Sequence, residues 1–343
     1  MTTTRQPITA TPARATTGAR DAAIVVDSLV KRYGDIVAVD GISLRVEPGE
    51  IFGFLGPNGA GKSTTIKMLC TLAVPTAGTA QVAGHDIATE RLAVRRNIGL
   101  VFQDSTLDAY LSAEQNLRFH AELYGLAKSA IPTRLREVME MVGLWERRAS
   151  KVQTFSGGMR RRLEIARGLM HSPRVLFLDE PTVGLDPQTR SSIWAYIDEL
   201  RAGEDITIFL TTHYMDEAEN CDRIAIIDGG RIVVENTPDA LKASVGTDRV
   251  QISTADDAGA IAALRQRFGL EAEMHDGAVT FAVVDGHHFV PRLFAELGVE
   301  IQSVQVARPS LDDVFMSYTG RTIRDAESNA LDNNRAFVNA FRR

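Results

Sequence analysis

The sequence holds only two cysteines in 343 residues, too few for a disulfide framework. Cys70 and Cys221 lie in or beside apolar periodic segments, so both read as buried thiols of a chain kept in a reducing compartment. Long hydrophobic runs are missing too. A membrane-spanning helix needs roughly 18 consecutive apolar residues. The longest apolar stretches here, such as Val175–Leu178 and Ile206–Leu210, have strand length and end in polar residues. Any membrane process served by this chain therefore requires another chain to supply the membrane part. There is no basic surplus either: 38 Lys and Arg stand against 44 Asp and Glu, a formal net charge of -6, which argues against a dedicated nucleic-acid binder. What is present, 44% hydrophobic and 24% charged residues, suits a globular chain able to bury a large core. The length exceeds one typical domain and predicts two domains with tails.

Residues 1–22 are rich in Thr and Ala, with Arg5, Arg14 and Arg20 and a single acid, Asp21. A transit peptide is one reading of an Arg-rich, acid-poor start; with no amphipathic apolar face before Ile24, a disordered tail is expected. Ile24–Leu29, Ser43–Val46 and Ile51–Leu55 have strand-like patterns. Helical spacing follows at Leu117, Ala121 and Tyr124, then at Leu135, Val138, Met139 and Val142. Strand-like runs return at Val175–Leu178, Ile206–Thr211 and Arg223–Ile227. Strands alternating with helices predict an open, mainly parallel α/β sheet over 23–246, with a helical subdomain inserted at about 104–170. From about Gly246 the pattern changes to strand, helix, strand, helix, strand, ending with Val299–Val306. That order predicts a small α+β, ferredoxin-like accessory domain over 247–320. The polar, Asn-rich stretch 321–343 is expected to form a flexible tail.

The strongest motif is Gly56-Pro57-Asn58-Gly59-Ala60-Gly61-Lys62-Ser63-Thr64, between the apolar run Ile51–Leu55 and a helical pattern at Ile66, Met68 and Leu69. Glycines let backbone N–H groups wrap a phosphate without side-chain obstruction, and the following helix adds its positive end. Lys62 reaches the β- and γ-phosphates, and the Ser63 hydroxyl suits Mg²⁺. A glycine-rich turn matching by accident is the bland alternative; the flanking strand and helix count against it.

Asp179 and Glu180 end the apolar strand Val175–Leu178. Downstream of a phosphate loop, Asp179 is expected to hold Mg²⁺ through water, and Glu180 to polarise the attacking water. Alone, the pair would read as a solvated acidic strand end. His213 follows the strand Ile206–Thr211 and could orient that water; a lone strand-end histidine is more often structural. Gln103, after Ile98–Phe102, offers an amide for Mg²⁺ or the water, and gains weight only from the other motifs.

Thr154-Phe155-Ser156-Gly157-Gly158-Met159-Arg160-Arg161-Arg162 resembles the signature motif of ABC ATPases. Together with the phosphate loop, Gln103, Asp179-Glu180 and His213, the stretch Ile24–Gly246 resembles a complete ABC nucleotide-binding domain, a P-loop NTPase fold. Gly184-Leu185-Asp186 resembles the family's D-loop, and Tyr33 sits where its adenine-stacking aromatic lies; an ordinary strand aromatic is the alternative for Tyr33. The resemblance implies ATP and Mg²⁺ as ligands. It also implies that Ser156, Gly157 and Gly158 face the γ-phosphate of ATP held by the phosphate loop of a second copy or a homologous subunit. Two departures stand out, Phe155 for Leu and Met159 for Gln; the second leaves the contact at Met159 in doubt. The run Arg160–Arg162 reads as a solvated helix face.

Within the superfamily, the signature wording, the accessory domain and Leu311-Asp312-Asp313-Val314-Phe315 look like the daunorubicin-resistance type of drug-exporter ATPase. This implies an ATPase that powers export of a drug, antibiotic or lipid-like compound through a separate multi-span permease, at the cytoplasmic face of the plasma membrane, with no nucleic-acid partner. A soluble ABC ATPase acting on ribosomes or nucleic acid is the alternative. It is weakened by the single phosphate loop and the modest length of the helical insert. A small-molecule kinase would leave Ser156–Gly158 and His213 without roles.

Overall fold

The computed structural model describes residues 22–203, 206–275 and 277–320. Apart from Ala22, the two tails expected at 1–22 and 321–343 lie outside the described residues. In chain order, β1 (Ile24–Tyr33), β2 (Ile36–Val46) and β3 (Ile51–Leu55) lead into α1 (Lys62–Leu69). Next come β4 (Ala77–Val82), β5 (His85–Asp86), α2 (Arg91–Asn97) and β6 (Ile98–Val101). Three helices, α3 (Ala113–Leu123), α4 (Ile131–Met141) and α5 (Gly157–Leu169), then precede β7 (Val175–Asp179). The chain continues through α6 (Pro187–Gly203), β8 (Thr207–Thr212), α7 (Met215–Ala218), β9 (Arg223–Asp228), β10 (Arg231–Asn236) and α8 (Pro238–Val245).

The main sheet has the order β10-β9-β3-β8-β7-β6, with every pair parallel except β9 with β10. Strands β3, β7 and β8 are buried along their whole length, as a parallel sheet covered on both faces requires. The two-residue strand period divides their side chains between two cores. Leu55, Leu176, Leu178, Ile208 and Leu210 pack with the helical insert. Phe52, Phe54, Phe177 and Phe209 pack on the opposite face, with the other three ring centroids each 5.6 Å from Phe209. A second, antiparallel sheet, β2-β1-β4-β5, was not anticipated as a separate layer. Its strand β4 is largely exposed and carries little apolar pattern to announce it.

Residues α3 to α5 form the expected helical insert. Leu117, Leu135, Val138, Met139 and Leu163 meet in one core. Helix α3 starts at a capping box in which Ser112 and Gln115 satisfy each other's backbone amides.

The accessory domain has β11 (Asp248–Thr254), α9 (Asp257–Ala263), β12 (Ala272–His275), β13 (Ala278–Val283), α10 (Gly286–Glu296) and β14 (Ile301–Ala307). All neighbours are antiparallel in the order β12-β13-β11-β14, which is the ferredoxin-like arrangement expected, with β12 as the strand missed in sequence. A separate core of Val250, Ile252, Leu264, Phe281 and Leu293 supports reading it as a unit. Helix α11 (Leu311–Thr319) departs from that unit. Its buried Leu311, Val314 and Phe315 join Leu241 of α8 in the core of the first domain, so the LDDVF segment is a return anchor. No described helix is long and apolar enough to cross a membrane.

Between α3 and the end of α5, the ring of Tyr124 stacks on His171 with centroids 4.0 Å apart and meets His120 at a tilt, 4.5 Å away. Burial, reinforced by Arg167 and His171, pulls the pKa of His120 down from 6.5 to about 3. The folded chain then binds fewer protons at this ring than the unfolded chain between those values. Stability from His120 is complete above about 6.5 and falls as pH is lowered towards 3. Urea unfolding of a His120→Phe variant should therefore lose about 2 kcal/mol less than the parent between pH 7 and pH 5. An unchanged pH dependence would contradict this.

Candidate functional site

The parallel strands all deliver their carboxyl ends to one edge, where ligands bind in open α/β sheets. In register, Leu55 pairs with Thr212 and Asp179 with Thr211, so the segments starting at Gly56, Glu180 and His213 leave the sheet side by side. Gln103 leaves β6 at the same edge. Gly56 N donates to Thr212 O at 3.2 Å. A Cβ on Gly56 would run into the carbonyl of Ile227, and one on Gly61, at φ +110°, into that of Ala38. These close approaches explain why the loop needs glycine at both ends. Gly61 leads directly into α1, whose free N–H groups and dipole suit an anion.

Lys62 is 4% exposed. Its Nζ donates to Gly56 O at 2.7 Å and Pro57 O at 3.1 Å, and lies 3.1 Å from Glu180 Oε1. Ser63 Oγ donates to Asp179 Oδ1 at 3.1 Å, and Thr211 Oγ1 donates to the same oxygen at 2.7 Å. His213 Nδ1 approaches Glu180 Oε1 at 3.4 Å, an ion-pair separation without an aligned hydrogen bond, and its ring packs on Tyr214. Burial would raise the pKa of Glu180, but His213 and Lys62 together hold it below the ordinary glutamate value. Glu180 stands at φ +47°, a conformation that costs a non-glycine residue about 1–3 kcal/mol and persists where surroundings impose it.

A cleft of about 170 Å³ is lined by Asn58, Gly59, Gly61, Lys62, Ser63, Thr64, Gln103 and Glu180, with Ala38 at its side. Gln103 is exposed at its rim. The donor set fits a magnesium triphosphate: a glycine cradle, one buried cation, and a hydroxyl beside a carboxylate that can share a hard metal ion.

Ser156 caps α5, its Oγ accepting from Met159 N at 3.2 Å, and Ser156 and Gly157 are exposed. Gly158 lies against Thr189 so closely that a Cβ would collide with it. Ser156, Gly158, Met159 and Thr189 line a second hollow that shares no residue with the phosphate-loop cleft. Asp186 precedes α6 and accepts from Thr189 N at 3.0 Å and Thr189 Oγ1 at 2.6 Å, tying the D-loop segment to that second surface. Tyr33, at the end of β1, is 48% exposed, with Lys31 Nζ 4.8 Å from its ring centroid, and does not line the cleft.

One expectation is overturned. Arg161 is not on a solvated helix face: it is 6% exposed and hydrogen-bonds to backbone carbonyls at Asp179, Glu180, Pro181 and Phe102. Arg160 and Arg162 are also engaged, with Phe155 O and with Val142 O and Tyr196 Oη. Glu217 went unnoticed in the sequence. It is 1% exposed, accepts from Thr182 Oγ1, and is pushed up in pKa by burial against the opposing pull of Thr212, Arg190 and His213.

The close contact at Gly56 yields a prediction. Gly56→Ala should fold yet lose at least about ten-fold in affinity for a fluorescent ATP analogue, because the loop must shift off Ile227. Parent-like affinity would show that the loop has slack at that point.

Known proteins resemble the chain over most of its length. The model for the family "ABC transporter" matches residues 39–183, and the model "ATP-binding protein DrrA1-3-like, C-terminal domain" matches residues 237–319. The daunorubicin resistance ATP-binding protein DrrA3 of Streptomyces coeruleorubidus is 42% identical over 89% of this chain and 99% of its own length. The linearmycin resistance ATP-binding protein LnrL of Bacillus subtilis is 39% identical over 87% of this chain and 99% of its own. The Nod factor export ATP-binding protein I of Cupriavidus metallidurans is 39% identical over 86% and 96%. Among solved structures, cbiO1 from Clostridium perfringens, part of the ABC transporter complex cbiONQ, superimposes with a TM-score of 0.62. It is 28% identical and covers 73% of this chain and 97% of that one. The chain belongs to the nucleotide-binding, ATP-hydrolysing subunits of ABC transporters, among those of the daunorubicin-resistance type.

Proposed function

We propose that two copies of this chain, or this chain and a homologous subunit, clamp ATP between the phosphate loop of one and Ser156–Gly158 of the other. The observation that carries this reading is the split site. The cleft at Lys62 is an open half-site, while the signature serine and glycines sit on a separate exposed surface of the same chain. A second anion-binding helix start facing outward needs a partner's phosphate to serve.

In this reading Gly56–Thr64 cradle the phosphates, and Lys62 neutralises the β- and γ-groups. A triphosphate competes with Glu180 for the Lys62 ammonium, so its arrival frees the carboxylate to accept a proton from water. His213 holds that carboxylate and the water in line. Ser63 and Asp179, with Gln103 nearby, would hold Mg²⁺, which when bound supplies charge neutralisation of the phosphate oxygens. Asp186 lies beside the partner-facing surface, and Tyr33 is available to stack on adenine, worth on the order of 1–3 kcal/mol.

The engine is residues 23–246, and 247–320 is an accessory domain anchored by α11. The membrane partner is a multi-span permease, and this chain works against it at the cytoplasmic face of the plasma membrane. Exposed Tyr110, Phe119 and Leu123, beyond Gln103, provide apolar surface for its short cytoplasmic helices. The named relatives concern daunorubicin and linearmycin resistance and Nod factor export, which supports outward transport of a drug, antibiotic or lipid-like hydrophobic compound. No observation favours a ribosomal or nucleic-acid role.

Two outcomes follow. Glu180→Gln should lower turnover at least about a hundred-fold while magnesium ATP drives a stable dimer in size-exclusion chromatography; near-normal phosphate release would remove Glu180 from this role. Gln103→Ala, reconstituted with the permease in vesicles, should keep ATP affinity within about three-fold yet lose most ATP-driven transport. Equal loss of both would argue against a linking role for Gln103.

A further inference from the structure

Helix α5 carries more than Ser156 at its start. From its second turn, Arg161 directs its whole guanidinium into the protein. Nη2 donates to Asp179 O at 3.1 Å and Glu180 O at 3.2 Å, Nε to Pro181 O at 2.5 Å, and Nη1 to Phe102 O and to Glu164 Oε2. Four of these acceptors are backbone oxygens just where β7 and β6 end. One turn on, Glu164 Oε1 accepts from Thr106 N at 3.0 Å, and Arg167 Nη1 donates to Thr106 O at 3.2 Å. The signature helix thus grips the Gln103 loop at both ends, Phe102 and Thr106, and the turn bearing Glu180.

The strain at Glu180 gives this grip a purpose. Its left-handed backbone is held from three sides: the amide by Thr211 O and Oγ1, the carboxylate by Lys62 and His213, and the carbonyl by Arg161 and by Val183 N of the same turn. Of these tethers, only Arg161 reaches the turn from the signature helix. A planar fork with five donors can satisfy several carbonyls in fixed directions, which neither an ammonium nor an apolar side chain can do. Glu164, itself 2% exposed, provides the countercharge, so burying Arg161 takes no charge away from the Lys62–Glu180 pair.

We propose that Arg161 is a positioning residue for ATP hydrolysis. It ties the signature helix to the Glu180 turn and Gln103 loop of its own chain. Movement of α5, whose N-terminus meets nucleotide held by a second copy, then changes the hydrolytic geometry at the first copy's own site. This rests on the reading of Glu180 as the hydrolytic carboxylate and of the site as shared.

The test compares Arg161→Lys, which keeps a charge for Glu164 but loses the fork, with Glu180→Gln and the parent. Steady-state ATP hydrolysis, melting temperature and binding of a fluorescent ATP analogue are measured for each. Arg161→Lys should lower kcat at least about ten-fold while KM and analogue affinity stay within about three-fold. Placed in the Glu180→Gln background, it should leave ATP-driven dimerisation intact. A folded Arg161→Lys chain with kcat within about two-fold of the parent, beside an inactive Glu180→Gln, overturns this proposal alone. Normal turnover in both overturns the reading of Glu180 and this proposal with it. Should Arg161→Lys fail to fold, the double variant Arg161→Gln with Glu164→Gln removes both buried charges together, and the same split between kcat and KM decides.

Discussion

Lys62 is buried at the carboxyl edge of the main sheet, and its charge governs what surrounds it. An unpaired ammonium there would be costly. The loop's own carbonyls and Glu180 satisfy it, and the strained turn at Glu180 brings the carboxylate within reach. Asp179 is fixed separately by Ser63 and Thr211, so adjacent carboxylates meet different partners. One cation and two acids arranged in this way suit phosphoryl transfer, which needs positioning and charge neutralisation more than covalent help.

The rest of the fold keeps those three groups in place. Parallel β3, β7 and β8 hold their ends in register, and the phenylalanines around Phe209 fix one face of the sheet. Helix α5 runs from the exposed cap at Ser156 to an inward-facing grip through Arg161. The chain therefore contains one helix that joins the exposed surface at Ser156 to the turn bearing Glu180. A two-subunit machine needs such an element if binding at one site is to be felt at the other.

Much of this was legible in the residues. Ile51–Leu55 before Gly56–Thr64 identified β3, the loop and α1, because an apolar run, spaced glycines and a helical pattern each have a separate physical cause. The accessory topology followed from its strand and helix order, although β12 escaped notice. Ala272–His275 is only four residues long and mostly exposed, too short for its alternation to stand out. The antiparallel sheet was missed for a related reason, since β4 shows only two buried positions. Arg161 misled because three consecutive arginines normally face water. Only the folded chain brings the carbonyls of Phe102, Asp179, Glu180 and Pro181 to one point, and a backbone acceptor leaves no trace in side-chain identity. Glu217 was silent because its side-chain partners Thr182 and Arg190 are distant in sequence.

The claim of a nucleotide shared between two chains is tested most directly by mixing damaged copies. One carries Lys62→Ala with an intact signature; the other carries Ser156→Arg with an intact phosphate loop. Each alone should hydrolyse almost no ATP. Mixed in equal amounts, they should recover about a quarter of parent activity, because half the dimers then hold one complete site of two. A mixture as inactive as its components would contradict the shared site.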